Sequence, residues 1–299
     1  MRRIYVTLDT EMDSDAKWVK HYPAKYTSVI DGIPNLLRPI WDRCEVHPIY
    51  FVSPEVLYEE KCIEVLKDEI SKGAIIGAHL HPEYIEPDNI FGEGMEQEPA
   101  QFPCYGCSDE VEEKKIENLT MLIKEKLGVT PIWYRAARFG ADEMSIQILQ
   151  KLGYKYDSSV TPYIDWSGKG GPNHSRSSVR GYYTSKLNLY EKEKCKEKQN
   201  IYEMPVTILG KRMGVLGRFF PDNWLFYRWL RPTHMTYLEL RSMIDELIRG
   251  DMSEAVMMFH SMEIMINKTP YVRNRIMQNY FLWRLERTLM YAKKRGYEL

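Results

Sequence analysis

Two hydrophobic periods alternate along this chain. Short β-branched and aromatic runs, "RRIYV" (2–6), "VHPIYFV" (46–52), "AIIGA" (74–78), "TPIWY" (130–134), "YKY" (154–156), "IYEMPVTIL" (201–209) and "EAVMMF" (254–259), read as buried strands. Between them lie stretches whose apolar positions return every three or four residues: 28–44, 53–73, 109–128, 141–153 and about 271–294. Ser53 before Pro54 predicts one capped helix over 53–73 that ends at Gly73, and Gly128 predicts the stop of the 109–128 helix. Strands alternating with helices predict an α/β fold with a mainly parallel sheet, whose strand ends share one mouth.

Two segments break the rhythm. Residues 83–108 are acidic and rich in Pro and Gly, and 158–200 are rich in Ser and Gly and run into the charged stretch "EKEKCKEK". No composition shift marks a boundary. The chain therefore reads as a single domain, 1–299, with insertions at about 83–108 and 158–235 and a C-terminal helix at about 271–295.

Composition narrows the class. At 44% hydrophobic and 28% charged the chain is an ordinary globular sequence, and a formal charge of -1 argues against nucleic acid as a partner. No run approaches the roughly 20 apolar residues that span a bilayer, and the N-terminus lacks the apolar core of a secretion signal. Five cysteines at irregular spacing suit a reducing compartment, so a cytoplasmic location is expected. "CYGC" (104–107) is half of a zinc-ribbon spacing with no second half, and reads as two free thiols.

Chemistry collects where the strand runs end. In "GAHLHPE", Pro82 keeps His81 out of the α region, so His79 and His81 lie on extended chain and point to the same side. They read either as two ligands converging on one ion or as two buried, hydrogen-bonded imidazoles. Asp9 and Glu11 of "TLDTE" share the same i, i+2 relation, as site acids or as a solvated acidic turn; Asp13 and Asp15 read as loop carboxylates. One carboxylate with two histidines is a catalytic zinc set that leaves a position for water. "YRAARFG" adds Arg135 and Arg138, "YDSSVTPYIDW" adds Asp157, Asp165 and Trp166, and "MMFHSMEI" adds His260.

Taken in order, "TLDTE", "GAHLHP", "YRAARFG", "YDSSVTP" and "MFHSMEI" resemble the five motifs of the polysaccharide deacetylase superfamily, carbohydrate esterase family 4, over residues 4 to about 266. The resemblance implies a distorted (β/α)7 barrel and a catalytic domain that removes N-acetyl groups from amino sugars in a polysaccharide, oligosaccharide or glycan precursor. It implies a divalent metal, zinc first and Co2+, Ni2+ or Mn2+ as alternatives, on Glu11, His79 and His81. Asp9 would be the general base, Arg135 its orienter, and His260 the general acid, tuned by Asp157 or Asp165. Arg138, Phe139, Asp165 and Trp166 would line the substrate groove, with a backbone N–H near Phe139 and Gly140 for the oxyanion.

The sequence departs from the common pattern in two places. Thr10 stands where the family's first motif has a second aspartate, and Glu83 stands where its second motif has a second histidine. These match a branch with DxE and HLHP variants and leave two sets open, with His81 or with Glu83 beside His79 and Glu11. Two other readings compete: an HxH amidohydrolase or phosphoesterase barrel acting on a non-carbohydrate, and a sugar-binding relative without catalysis. "GRFFPDNWLFYRWLRP" (217–232) reads as subdomain packing, with sugar stacking or a lipid-interface patch as the alternative. The amphipathic last helix leaves packing, oligomer formation and peripheral membrane contact open.

Overall fold

The computed structural model describes residues 1–95, 102–185, 188–192, 201–211 and 227–299. In chain order the first elements are β1 (Arg2–Thr10), α1 (Arg38–Cys44), β2 (Ile49–Val52), α2 (Glu60–Ser71), β3 (Ile75–Leu80), α3 (Pro103–Gly106), α4 (Asp109–Leu127), β4 (Trp133–Ala136), α5 (Glu143–Lys151) and β5 (Tyr156–Asp157). Then follow β6 (Tyr182–Ser185), β7 (Asn188–Lys192), β8 (Tyr202–Glu203), β9 (Ile208–Lys211), β10 (Tyr227–Trp229), α6 (Tyr237–Arg249), β11 (Glu254–His260), α7 (Arg275–Lys294) and β12 (Tyr297–Glu298). Most of "GRFFPDNWLFYRWLRP" and of "EKEKCKEK", including Cys195, lies outside the described residues.

Seven strands pair in parallel, in the order β11-β1-β2-β3-β4-β5-β8. The β6-β7 hairpin adds antiparallel strands beyond β8, and β12 joins the start of β1. The sheet curls until β8 and β11 approach, where single bonds replace a regular ladder. Thr207 N–H donates to Val256 O at 3.2 Å, Val256 N–H to Thr207 Oγ1 at 2.8 Å, and Met258 N–H to Leu230 O at 3.3 Å. The result is a distorted α/β barrel. Its strands are covered on both faces, which is why they read as nearly continuous apolar runs rather than alternating ones. Ile4, Val6 and Leu8 of β1 and Met257 and Phe259 of β11 have no solvent exposure.

Local signals explain the helices and one departure. Asp142 and Thr236 each form a reciprocal capping box, opening α5 and α6. Ser53 does not open one long helix: its hydroxyl bonds Glu55, a 3₁₀ turn fills Pro54–Tyr58, and Glu59 caps α2 instead. The short polar side chain was taken by a nearer acceptor. Residues Ser28–Leu37 wind as a wide π-helix around Pro34, which has no N–H to give. Gly32 in that run lies against the turn after β11, where an added Cβ would stand 2.8 Å from Ile264 Cδ1. That close approach seats the helix on the segment carrying His260.

Parallel register places the strand-end residues side by side. Asp9 is opposite His260 across β1 and β11, and His79 is opposite Arg135 across β3 and β4. The side chains of the expected site therefore meet at one end of the barrel.

Candidate metal site

Glu11, His79 and His81 are all buried, and one ligand atom from each lies within 4.8 Å of the others. Glu11 Oε1 is 3.2 Å from His79 Nε2 and 3.3 Å from His81 Nε2. The far side of each ring is fixed. His79 Nδ1 donates to the carbonyl oxygen of Arg135 at 2.9 Å, which leaves the Nε2 lone pair facing Glu11. His81 Nδ1 meets Glu83 Oε1 at 3.2 Å, while its buried Nε2 has no hydrogen-bond partner among the described residues. Two imidazole nitrogens and one carboxylate oxygen directed at one point, with histidines backed by a carbonyl and a carboxylate, fit a divalent cation.

Glu83 is thus placed behind His81 rather than in its stead. Burial opposes its ionisation, but His81 and Arg138 outweigh it and hold the carboxyl down at about 2. Arg138 NH2 donates to the same Oε1 at 2.9 Å. For His81, burial disfavours charge, yet Glu11 and Glu83 push its pKa up to about 9. A cation bound at Nε2 would displace that proton.

Beside the triad lies a second acid. Asp9 is buried, and Arg135 NH1 donates to its Oδ1 at 2.6 Å. Burial works against its charge, and Arg135, His79 and His260 together still lower its pKa. The guanidinium crosses the barrel over the Phe51 ring at 4.2 Å and also bonds Thr7 Oγ1, Ser158 O and Ser158 Oγ. His260 Nε2 points at the same centre, 3.8 Å from Asp9 Oδ2 and 3.7 Å from Glu11 Oε1. Its Nδ1 donates to Glu263 Oε1 at 2.8 Å, and Glu263 in turn is paired with Arg231.

The expected partner of His260 is corrected here. Asp157 accepts from Ser159 Oγ at 2.6 Å and faces Glu203, and exposed Asp165 closes a turn through Ser167 N–H and Asn173; neither touches His260. Glu263 takes that place because the turn after β11 brings residue i+3 back under the histidine. Glu263, Arg231 and Lys20, whose ammonium pairs with Glu11 Oε2, were not read from the sequence. "HSMEI" held the first in plain view, as an acid three residues after the histidine. Arg231 and Lys20 come from loops with no such pattern.

Two chains of ring contacts flank the centre. One runs Trp166–Phe139–Trp229–His234–Tyr271–Trp18–His260, with centroids 5.2 to 6.2 Å apart. The other runs His81–Tyr84–Phe91–Tyr22, at 5.4 to 5.9 Å. Arg138 and Phe139 both adopt left-handed backbone, φ 54° and 61°, which turns the third motif toward the mouth. Gly140 N–H is committed to Ala137 O at 3.0 Å. Asp13 caps the helix at 28 through Thr27 and Ser28 N–H, and Asp15 closes a turn on Lys17 and Val19. Cys104 and Cys107 are free thiols.

No protein-family model and no curated protein matches this sequence. Solved structures do match. A "putative polysaccharide deacetylase" from Mycobacterium smegmatis superposes with a TM-score of 0.51 at 15% identity, over 97% of this chain and 85% of that one. The chain has the polysaccharide deacetylase fold. A family 4 carbohydrate esterase from Streptomyces lividans, solved with acetate, aligns over 99% of this chain and 90% of its own at 9% identity, TM-score 0.46. A CE4 family pseudoenzyme from Bacillus anthracis aligns over 99% of this chain and 62% of its own at 10% identity, TM-score 0.46. Among the described residues, no helix of this polysaccharide deacetylase fold is long and apolar enough to cross a membrane.

Proposed function

We propose that this chain is a metal-dependent hydrolase that removes the N-acetyl group from an amino sugar in a glycan or glycan precursor. One observation carries the reading. The donor atoms of Glu11, His79 and His81 converge, and Asp9 and His260 face the same point from the neighbouring strands. Glu11, His79 and His81 would hold the ion, zinc by the character of the donors. When bound, a divalent cation polarises an acyl carbonyl and acidifies water at that point.

The chain's own residues supply the proton transfers. Asp9, kept ionised by Arg135, takes the proton of the attacking water as the new C–O bond forms. His260, backed by the Glu263–Arg231 pair, delivers a proton to the leaving nitrogen as the C–N bond breaks, so acetate and a free amine depart. The two aromatic paths would pack against the apolar faces of sugar rings, with Trp166 and Phe139 on one wall. Arg138 would act through Glu83 on His81 as well as at the groove edge.

Metal content and turnover test the reading separately. Zinc-loaded protein should hold one ion per chain and release acetate from N-acetylated amino-sugar oligomers, and His79→Ala should lose the ion. Asp9→Asn should keep the ion while turnover falls roughly 10² to 10⁴-fold. Zinc binding without acetate release from any N-acetylated sugar would sink the deacetylase reading and leave the metal site standing.

A further inference from the structure

We propose that the outward face of α7, together with the start of α6, docks on an anionic lipid bilayer. The helix is apolar on two sides, and the protein covers one of them. Phe281, Leu285 and Leu289 are fully buried on the inner side. On the opposite side Ile276 is 80%, Tyr280 45%, Trp283 44% and Met290 51% exposed, and Leu238 of α6 is 71% exposed. Positions 276, 280, 283, 287 and 290 advance by four and three, so they form one stripe along the helix. Trp283 is joined to Tyr280 and to Tyr237 by ring contacts at 5.8 and 5.3 Å, which makes the two helices present a single aromatic surface. An uncovered apolar stripe of this kind marks an interaction surface.

Charge decides the occupant. Residues 271–295 carry seven Lys and Arg against one acid, Glu286, whereas the whole chain has a formal charge of -1. Glu286 is already paired with Arg43 at 2.6 Å. Arg287 lies on the stripe itself and Lys294 one turn beyond Met290, and neither forms an ion pair among the described residues. A second copy of this chain would set these cations against one another. An anionic bilayer satisfies both features, taking the aromatic and aliphatic side chains at the headgroup boundary and the arginine and lysine at its charged surface.

The surface begins beside the mouth. Asn274 caps α7 three residues after Tyr271, whose ring contacts Trp18 on His260. Docking would bring the site's rim close to the interface, and the docking itself does not depend on which reaction the site performs.

Sedimentation of the full chain with vesicles tests this. It should bind phosphatidylcholine vesicles containing one third phosphatidylglycerol, with weakening in high salt, and not pure phosphatidylcholine. Tyr280→Ala with Trp283→Ala should weaken partitioning at least about tenfold, and Arg287→Glu with Lys294→Glu by about 25-fold or more, at roughly fivefold per surface charge. Ile276→Ser, at the most exposed position, gives the same reading if the aromatic variant does not fold. The proposal is overturned if anionic vesicles leave the chain in solution or if the variants bind as the parent does. It is also overturned if light scattering finds a dimer that Trp283→Ala converts to monomer, which would assign the face to a second copy.

Discussion

Four buried carboxylates at the mouth each meet a cation: Asp9 with Arg135, Glu11 with Lys20, Glu83 with Arg138 and Glu263 with Arg231. Farther round the same sheet, Asp157 at the end of β5 and Glu203 at the end of β8 face one another, and neither has an ion pair among the described residues. Burial is complete in both places, so it does not distinguish them. At the mouth the cations overcome desolvation and every one of the four acids is pulled below its ordinary range. Under β5 and β8 desolvation wins, Asp157 and Glu203 are both pushed up, and the pair keeps a proton. A carboxylate meant to hold an ion or accept a proton needs its own counter-charge. One that only joins two strands does not.

The comparison is broken most severely at Arg135. Arg135→Met strands Asp9 as an uncompensated buried charge, and urea denaturation should show a loss of about 3 to 5 kcal/mol. Adding Asp9→Asn removes that charge and should recover a good part of the loss. Equal stabilities for the single and double variants would mean that Arg135 matters through its packing on Phe51 and its bonds to Ser158, not through Asp9.

The next test is Glu203→Gln. A glutamine oxygen keeps the bond from Val160 N–H, 3.1 Å in the parent, and its amide can donate to Asp157. In the parent, Glu203 retains its proton in the folded chain while the unfolded chain releases it near its ordinary pKa. Stability is therefore fully present below about pH 4 and falls as pH climbs toward the raised folded value. The variant should lose that slope and stand above the parent at pH 9, the two converging near pH 4. Parallel stability curves would show that the pair does not hold a proton.

Much of this was legible in the sequence because parallel strands put their ends on one face. Asp9, Glu11, His79, His81, Arg135 and His260 sit on β1, β3, β4 and β11 or directly after them, so the order of runs was enough to bring them together. Counter-charges obey no such rule. Lys20 reaches Glu11 from a loop bridged to Ser14, and Arg231 reaches Glu263 from just past β10, so loop geometry decides both. Asp157 was misread for the same reason: its partner Glu203 lies on β8, which pairs with β5 only after the long insertion between the two strands. Ser53 failed at a shorter range, because Glu55 competed for its hydroxyl.

A gentler version of the β5–β8 arrangement exists on α4, and it sharpens the comparison by replacing the directly paired acid with acids that act only by repulsion. Glu112 is buried beside Ser145, whose hydroxyl donates to it at 2.7 Å, with Asp142 and Asp109 as charged neighbours among the described residues. Burial first, then those acids, push its pKa up to about 8. The sign follows as for Glu203: the folded chain holds a proton that the unfolded chain gives up near 4.5, so stability drains away as pH rises from there to about 8. Glu112→Gln keeps an acceptor for Ser145 and cannot ionise. It should match the parent near pH 4.5 and exceed it by about 4 to 5 kcal/mol at pH 8.5 in the same denaturation series. Since Ser145 already donates to this carboxyl and Asp142 and Asp109 act on it by repulsion rather than as a directly paired acid, the gain should be smaller than for Glu203→Gln. An equal or larger gain would mean that desolvation alone, without a facing acid, sets the protonation of both sites.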